Sequence, residues 1–438
     1  MGAHGQTYHF GSPMAGTAYQ APRGTQDILP EDTPYWEYVE SQARRQAQLA
    51  NYGEIRTPTF EETAVFLRGV GSTTDIVEKE MYTVLSKSGR EAATLRPEGT
   101  AGVVRAYIQH GMGSRAQPVK LFSLLNCFRY DRPQKGRYRE FHQFNIEAIG
   151  EADAAVDAEL IALQWRLYAE LGLRDLSLHL NSIGDGTCRP GYIKLLREYF
   201  EQHVDGLCQE CRRRLQTNPL RLLDEKNPAC QPVLSEAPRS ADHLCGPCQA
   251  HFDQLQGHLR ALEVPYTVDP RLVRGLDYYT RSVWEVLPPV QGAQSTLGGG
   301  GRYDGLAELL GGRPTPGVGF ATGIERIILE LKDQQVPVPP RRGPQVFISY
   351  NMHDKSLALR LADQLRQHGI SADLAFGDRK LGKQLSAANR SGAKFAVILG
   401  DDEVASGTVT LKDLRNGGEQ RSVPQHALIE ELGHATTE

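Results

Sequence analysis

The sequence has no apolar run close to the ~20 residues that a membrane-spanning helix requires. The first twenty residues also lack the basic start and apolar core of a secretory signal, and we expect residues 1–20 to form a disordered tail. With 438 residues, the chain is long enough for two to three domains with full cores. These features favour a globular protein over a membrane or secreted one.

Positive charge is not in excess either. The 49 Lys and Arg residues are outnumbered by 53 Asp and Glu, which gives a net charge of −4. A nucleic acid would therefore bind to local basic patches on an acidic protein. Seven cysteines without a secretion signal indicate a reducing compartment, so we predict a cytoplasmic location with thiols that stay free or bind metal.

One such basic patch lies in residues 121–150. An apolar run leads to Arg129 and a charged tract, and residues 141–149 are then strand-like, which predicts a β-hairpin with a long basic loop. Five cations and one carboxylate lie between Arg129 and Arg139, a balance that favours a polyanionic ligand. An amphipathic hairpin with its polar face in water is the commoner origin of such a pattern.

Alternation places Phe141, Gln143, Asn145 and Glu147 on one face of the second strand, beside Arg129. The four residues from Gln143 to Glu147 span about 13 Å, enough to lie along a ligand the size of an aminoacyl-nucleotide.

The motif FRYDRPQKGRYREFHQ, residues 128–143, resembles motif 2 of the histidyl-tRNA synthetases, which are class II aminoacyl-tRNA synthetases. The resemblance extends from Pro22 to the C-terminus. It implies an α+β fold, with a class II antiparallel-sheet catalytic core, a helical insertion and a C-terminal α/β anticodon-binding domain. The implied boundaries are a tail at 1–20, core at 21–185 and 262–332, insertion at 186–261, linker at 333–343 and anticodon-binding domain at 344–438.

Residues 22–61 predict a helix at about 34–51 and a strand at 54–57 that ends at Pro58. An ordinary αβ unit would give the same pattern. The order helix, strand, proline resembles class II motif 1, and this resemblance implies a homodimer.

Glu98-Gly99-Thr100 lies between a predicted strand end and a predicted helix at 100–110. A carboxylate at such a corner can accept hydrogen bonds from a cationic amine, or it can simply complement the helix dipole. The resemblance implies that this tripeptide holds the substrate histidine.

Residues 186–261 are rich in cysteine and arginine. Two C-x2-C pairs, Cys208 with Cys211 and Cys245 with Cys248, have the ligand number and softness of a structural zinc site, although free thiols packed between helices remain the alternative. The arginines at 212–214 either contact phosphate or form a solvated helix face. In the family this insertion approaches the tRNA acceptor stem.

Arg274-Gly275-Leu276-Asp277-Tyr278-Tyr279 precedes an alternating strand at 280–286. Paired tyrosines before a strand more often pack than bind. This hexapeptide, however, resembles a motif specific to the histidyl enzymes. The resemblance implies that the tyrosines wall the imidazole and that Arg274 meets the reacting carboxylate and phosphate, a role that suits a fixed forked cation.

Four consecutive glycines at 298–301 form either a flexible loop or a backbone surface that a ligand touches. A short strand at 318–320 and a helix from about Thr322 follow, with Arg326 in the first turn of the helix, where the exposed N–H groups attract anions. The alternative is a surface ion pair. The segment resembles class II motif 3, whose arginine binds ATP phosphate.

After the proline-rich linker, strands and helices alternate, which predicts a small, mostly parallel sheet, and the sequence Asn-Gly-Gly at 416–418 predicts a hairpin turn. This region resembles the anticodon-binding domain shared by histidyl, prolyl, threonyl and glycyl synthetases. DRKLGKQL at 378–385 matches the histidyl version.

The resemblance as a whole implies that histidine and ATP, the latter with Mg²⁺, give histidyl-adenylate, and that tRNA-His then accepts the histidine. The implied catalytic residues are Arg129 and Arg274. The implied histidine-binding residues are Glu98, Gly99, Thr100, Arg129, Gln143, Glu147, Arg274, Tyr278 and Tyr279. The implied ATP-binding residues are Arg129, Arg137, Phe141 and Arg326.

Two other functions are compatible with the core. A non-catalytic paralogue, such as the regulatory subunit of ATP phosphoribosyltransferase, shares it but loses the anticodon domain and erodes the arginines. A pure tRNA-binding module is the second alternative. Both the arginines and the C-terminal region are present in this chain.

Overall fold

The computed structural model describes residues 19–71, 74, 76–86, 89, 92–290, 296–341, 343–415 and 418–434. The chain divides into two compact units, the first ending at Pro339 and the second beginning at Pro340. This division falls inside the segment 333–343. Across these described ranges, no helix has both the length and the apolar character needed to cross a bilayer.

The first unit contains an eight-stranded sheet in the order β1-β5-β6-β11-β10-β9-β7-β8. A separate three-stranded sheet, in the order β2-β4-β3, is formed by the strands that fall between β1 and β5 in the sequence. All pairs in the large sheet are antiparallel except β1 with β5 and β7 with β8. The strands are β1 (Gly53–Glu54), β2 (Phe60–Glu62), β3 (Tyr82–Leu85), β4 (Ala92–Leu95), β5 (Val119–Phe128), β6 (Glu140–Ile149), β7 (Ser177–Ser182), β8 (Thr267–Val268), β9 (Thr280–Leu287), β10 (Gly298–Arg302) and β11 (Gly317–Gly323).

Ten α-helices accompany these strands in the described part of this unit. They are α1 (Thr33–Leu49), α2 (Thr63–Gly69), α3 (Thr100–Gln109), α4 (Ala154–Glu170), α5 (Arg189–Gln202), α6 (Gln209–Thr217), α7 (Gln231–Ser235), α8 (Gly246–Ala261), α9 (Leu306–Leu309) and α10 (Ile324–Asp333). Apolar side chains of α1, α4, α8 and α10 pack with one face of the sheet in the largest core. Removing this apolar surface from water is the main source of stability.

Strand β6 divides its side chains as alternation predicts. Phe144 and Ile146 are buried in the core formed with the helices. Gln143, Asn145 and Glu147 lie on the opposite face of the strand, which is directed away from that core. The long hairpin that joins β5 and β6 was therefore predicted correctly, with Cys127 opposite Phe141 and Leu121 opposite Glu147.

The glycine run is a buried strand rather than a flexible loop. Residues 298–301 pair with β9 on one side and β11 on the other. A Cβ on Gly300 would lie 2.1 Å from the carbonyl oxygen of Gly319, so the close approach of the two backbones excludes any side chain there.

The helices α5 to α7, between β7 and β8, enclose a small core of their own that includes Leu196, Phe200 and Cys211. Helix α8 instead contributes Phe252 and Leu255 to the main core. The segment 186–261 is therefore helical, and its last helix packs with the eight-stranded sheet.

The second unit is a five-stranded sheet in the order β13-β12-β14-β15-β16, parallel among the first three strands and antiparallel thereafter. Its elements are β12 (Val346–Asn351), α11 (Ser356–Gln367), β13 (Ala372–Leu374), α12 (Leu381–Arg390), β14 (Phe395–Gly400), α13 (Asp401–Ser406), β15 (Thr408–Asp413), β16 (Gln420–Pro424) and α14 (Leu428–His434). Helix α13 was not predicted. The turn predicted around 416–418 lies partly outside the described residues, and β15 and β16 pair on either side of it.

A buried ion pair ties the start of α4 to β10. The side chains of Arg302 and Asp157 are both 0% exposed. Arg302 also donates to the carbonyl oxygens of Glu151 at 2.8 Å and Asp153 at 3.2 Å.

We expect Arg302→Met to lower the free energy of unfolding by roughly 3–5 kcal/mol, because it leaves the Asp157 carboxylate buried without its partner. The matched control is Arg45→Met, which removes a largely exposed pair with Glu170 and should cost no more than about 1 kcal/mol. Urea unfolding followed by tryptophan fluorescence measures both. Equal effects of the two substitutions would contradict the prediction.

Candidate active site

A cavity lies over the polar face of the large sheet. Its walls come from the β5–β6 hairpin, strands β10 and β11, the segment before β9, and the N-terminal ends of α3 and α10. The lining residues are Glu98, Thr100, Arg129, Asp131, Gly136, Arg137, Tyr138, Phe141, Gln143, Arg274, Leu276, Tyr278, Tyr279, Thr296, Leu297, Gly298, Gly299, Gly319, Phe320, Ala321, Gly323, Glu325 and Arg326.

Ten of the twelve site residues predicted from the sequence line this cavity. They are Glu98, Thr100, Arg129, Arg137, Phe141, Gln143, Arg274, Tyr278, Tyr279 and Arg326. The other two, Gly99 and Glu147, lie immediately behind the wall: Glu147 is hydrogen-bonded to Thr100, and Gly99 packs so closely on Asn145 that a Cβ would lie 2.0 Å from its Nδ2.

The floor of the cavity consists of small residues. Strand β11 places Gly319 opposite Glu147, Ala321 opposite Asn145 and Gly323 opposite Gln143. A Cβ on Gly319 would lie 1.8 Å from Glu147 Oε2. Because Gly319 has no side chain, the Glu147 carboxylate can lie directly against the backbone of β11 at this position.

Arg129 and Arg137 approach the cavity from the hairpin. Arg129 Nε donates to the carbonyl oxygen of Pro97 at 2.8 Å, and its guanidinium lies 5.2 Å from the ring centroid of Phe141. Arg137 pairs with Asp131 and Glu80. The hairpin therefore places two guanidinium groups and one aromatic ring along the same wall of the cavity.

Arg274 and Arg326 approach from the opposite side. Arg274 pairs with Glu285, and its buried Nε has no hydrogen-bond partner in the part of the chain that the structure describes. Arg326 donates to the carbonyl oxygens of Gly136 at 3.0 Å and Thr296 at 2.7 Å.

The four arginines concentrate positive charge in one place. Burial and then the charges of Arg129 and Arg137 lower the pKa of Arg326 to about 10. The proximity of like charges disfavours the protonated form, and an anion of several charges would relieve that repulsion. This end of the cavity is suited to a polyphosphate.

The other end is formed by buried polar groups. Glu98 accepts hydrogen bonds from the backbone N–H groups of Thr100 at 2.7 Å and Ala101 at 2.9 Å, so it caps α3 and lines the cavity at the same time. The rings of Tyr278 and Tyr279 are buried, with centroids 4.7 Å apart. This end provides acceptors and aromatic walls for a small cationic or heterocyclic group.

Glu147 is 1% exposed and accepts hydrogen bonds from the hydroxyl groups of Thr100, at 2.7 Å, and Tyr303. Burial raises its pKa to about 8, with a further contribution from the charge of Glu98, while the two hydroxyl hydrogen bonds act in the opposite direction. A carboxyl group with this pKa holds a proton at neutral pH in most molecules.

Three functional residues were not predicted from the sequence. Glu285, the partner of Arg274, is a lone acid in the apolar strand β9, and that isolation was a usable signal. Glu325 lines the cavity and accepts from the backbone N–H of His142 at 2.9 Å, and its position beside Arg326 was a second signal. Tyr303, after the glycine run, had no distinguishing pattern.

The four cysteines predicted as one zinc site are not brought together, which corrects that prediction. Cys208 and Cys211 lie with Cys230, whereas Cys245 and Cys248 lie with Cys188 and Asp185. The reason is that each C-x2-C pair begins a different helix, α6 or α8, and each helix start meets a different neighbouring segment.

An antiparallel sheet whose motif 2-like hairpin, glycine strand and motif 3-like helix enclose an arginine-lined cavity defines the catalytic fold of class II aminoacyl-tRNA synthetases. Comparison with known proteins narrows the class. The family model described as Histidyl-tRNA synthetase matches residues 24–184 and 204–327, and one described as Anticodon binding domain matches 345–434. The chain belongs to the histidyl-tRNA synthetase family.

The relatives include proteins named histidine–tRNA ligase. One from Dehalococcoides mccartyi (strain 195) is 53% identical over 94% of this chain and 99% of its own length. Another, from Pelotomaculum thermopropionicum, is 49% identical over 95% and 98%. The structure of apo S. aureus histidyl-tRNA synthetase superposes with a TM-score of 0.79 at 40% identity, covering 95% of this chain and 100% of that one.

Glu147 should make stability fall as pH rises from about 5 to about 8. Its folded-state pKa of about 8 lies above its ordinary value of 4.5, so in this window the unfolded chain binds fewer protons than the folded one. We expect Glu147→Gln to flatten the decline in thermal unfolding midpoint over this range. Exposed Glu201→Gln on α5 is the control and should reproduce the parent profile. An unchanged slope in Glu147→Gln would count against the prediction.

Proposed function

We propose that this chain activates L-histidine with ATP to histidyl-adenylate and pyrophosphate, and then transfers histidine to the 3′ end of tRNA-His. The supporting observation is one cavity with four guanidinium groups at one end and a buried Glu98–Thr100–Glu147 network at the other. Such a cavity matches a molecule with a polyphosphate at one end and an amino acid with a polar ring at the other.

In the first step the carboxylate of histidine attacks the α-phosphorus of ATP, and pyrophosphate leaves. The nucleophile belongs to the substrate, so no nucleophilic side chain is required. Catalysis then consists of aligning the two reactants and neutralising charge as it develops on the phosphate oxygens. Arg129 and Arg274, on opposite walls, are assigned to this position.

The remaining hairpin residues bind ATP. Phe141 offers its ring to the adenine, and Arg137 and Arg326 hold the β- and γ-phosphates. The wall also includes two carboxylates, Asp131 and Glu325, which are the hard oxygen ligands that Mg²⁺ prefers, so the residues fit an ion that enters with ATP. Bound there, the ion would neutralise phosphate charge.

The amino-acid end recognises histidine. Glu98, Gly99, Thr100 and Gln143 surround the α-amino group, and Tyr278 and Tyr279 wall the imidazole. Glu147 supports this end of the cavity from behind the wall, where it accepts a hydrogen bond from the hydroxyl group of Thr100. An amino acid without a polar ring leaves buried partners unpaired, which can discriminate by roughly 10⁴-fold.

The second unit is assigned to tRNA binding. It matches the anticodon-binding family over residues 345–434. The homodimer, whose motif 1 elements are α1 and β1, and the cytoplasmic location remain predictions from the resemblance.

The regulatory-paralogue function is disfavoured. A structure named as an ATP phosphoribosyltransferase regulatory subunit/histidyl-tRNA synthetase, from Bacillus halodurans, is 23% identical and shares the fold alone. This chain keeps all four arginines in one cavity and the second unit, which a purely regulatory protein does not need.

The decisive measurement is ATP–pyrophosphate exchange that depends on histidine. We expect Arg274→Ala to lower exchange by roughly 10²–10³-fold, because it removes a charge placed for the transition state. Binding of tRNA-His, measured by filter retention, should stay within about twofold of the parent. Arg271→Ala, an exposed arginine in the same segment, is the matched control and should keep full exchange. Full exchange in Arg274→Ala would reject the assigned role.

Glu147→Ala should separate the two substrates. It leaves the hydroxyl groups of Thr100 and Tyr303 without their acceptor at the amino-acid end, so the KM for histidine should rise roughly 10- to 100-fold while the KM for ATP changes little. Glu147→Gln retains an acceptor oxygen and should have a smaller effect. Steady-state exchange kinetics with each substrate varied in turn provides both constants, and equal rises in the two would refute the assignment.

A further inference from the structure

Three thiols and a carboxylate converge outside the cavity, where the loop after β7 meets the start of α8. The four residues are Asp185, Cys188, Cys245 and Cys248, and one ligand atom from each lies within 4.8 Å of all the others. Cys248 is buried and the other three are half-buried, so the group is largely shielded from water.

The spacing is that of a tetrahedral metal site. Asp185 Oδ1 lies 3.8 Å from Cys188 Sγ and 3.9 Å from Cys245 Sγ. A tetrahedral zinc ion with bonds of about 2.3 Å to sulfur and about 2.0 Å to oxygen separates its ligands by about 3.5 to 3.8 Å. These two oxygen–sulfur distances therefore exceed the tetrahedral value by only a few tenths of an ångström.

The backbone around the cluster is arranged to hold these ligands. Cys188 is the N-cap of α5, and Cys245 is the N-cap of α8, so both helices begin at the cluster and fix these two residues beside each other. Gly184 has a φ of +67°, and a Cβ there would lie 2.6 Å from Cys188 Sγ, so this loop position leaves room for the sulfur.

The geometry points to a structural zinc site made by Asp185, Cys188, Cys245 and Cys248, which fastens the start of α5 to the start of α8. Three soft thiolates select zinc over magnesium or calcium, and four protein ligands close its coordination. This is a different ligand set from the four cysteines that the sequence predicts.

The site would also brace the histidine end of the cavity. The backbone of Arg281 exchanges hydrogen bonds with Ile183 at 2.8 Å and Gly184 at 2.7 Å. Arg189, the first residue of α5, donates to the carbonyl oxygen of Tyr279. The metal-binding loop is therefore bonded directly to the segment that carries the two wall tyrosines.

The second thiol cluster offers a matched control. Cys208, Cys211 and Cys230 lie together, but within the described parts of the chain no fourth metal-ligating group joins all three at that spacing. The Glu225 carboxylate lies 3.7 Å from Cys211 Sγ but does not join the other two thiols at that spacing, so the cluster does not complete a structural tetrahedron.

The test is the zinc content of the full-length protein. The protein is purified without chelators, and its zinc is measured by inductively coupled plasma mass spectrometry. We expect Cys245→Ser and Cys248→Ser each to hold one zinc per chain fewer than the parent, whereas Cys208→Ser retains that zinc. A parent without zinc, or a Cys245→Ser variant with the parent's content, would overturn the proposal and leave the thiols as packing groups.

A second measurement guards against a variant that fails to fold. Chelation of zinc from the parent should lower its thermal unfolding midpoint, and added zinc should restore it. Asp185→Asn changes one ligand atom without removing a thiol. In competition with a chromogenic chelator, its dissociation constant for zinc should be at least about tenfold higher than that of the parent. An unfolding midpoint and a zinc affinity that both stay unchanged would also overturn the site, and neither readout depends on aminoacylation.

Discussion

Repulsion among guanidinium groups is the interaction on which the rest of this structure depends. Arg129, Arg137, Arg274 and Arg326 share one cavity, where Glu285, Asp131 and Glu80 pair with two of them, and burial followed by the charges of Arg129 and Arg137 depresses the pKa of Arg326. Such an arrangement is costly in the free protein and is relieved by a phosphate chain. The fold must therefore oppose the mutual repulsion of the four guanidinium groups. Arg129 and Arg326 donate hydrogen bonds to backbone carbonyl oxygens, and Arg137 and Arg274 pair with the three acids.

The sheet has glycine or alanine at the positions below the cavity where neighbouring strands and side chains pack most closely. In β11, glycine and alanine lie opposite the polar residues of β6, and in β10 the glycines lie too close to neighbouring atoms for any larger residue. The stability lost with those side chains is offset on the opposite face, where Phe144, Ile146, Phe320 and Ile327 pack into the main core. The largest core thus lies on one face of the sheet, and the other face carries the site beside a smaller core that includes Leu121 and Val283.

Much of this organisation was predictable because the relevant signals are local. The hairpin followed from alternation and the basic loop, and Arg326 from an apolar helix with a cation in its first turn. The glycine run was ambiguous, since local sequence does not distinguish a loop from a strand whose neighbours exclude side chains. Glu147 behind the wall, Tyr303 as its partner and the separation of the cysteine pairs all depend on contacts between different elements of the fold, which periodicity does not report.

Strand β6 has its two neighbours at very different distances along the chain. Its pairing with β5 is local, but its other edge pairs with β11, from Ile149 with Gly317 to Gln143 with Gly323. On the ribosome, that second edge therefore emerges long before its partner and must wait while α4 to α9 are synthesised. Until then the backbone groups along that edge of β6 have no strand to pair with, and such unpaired edges are where misassociation with other chains begins.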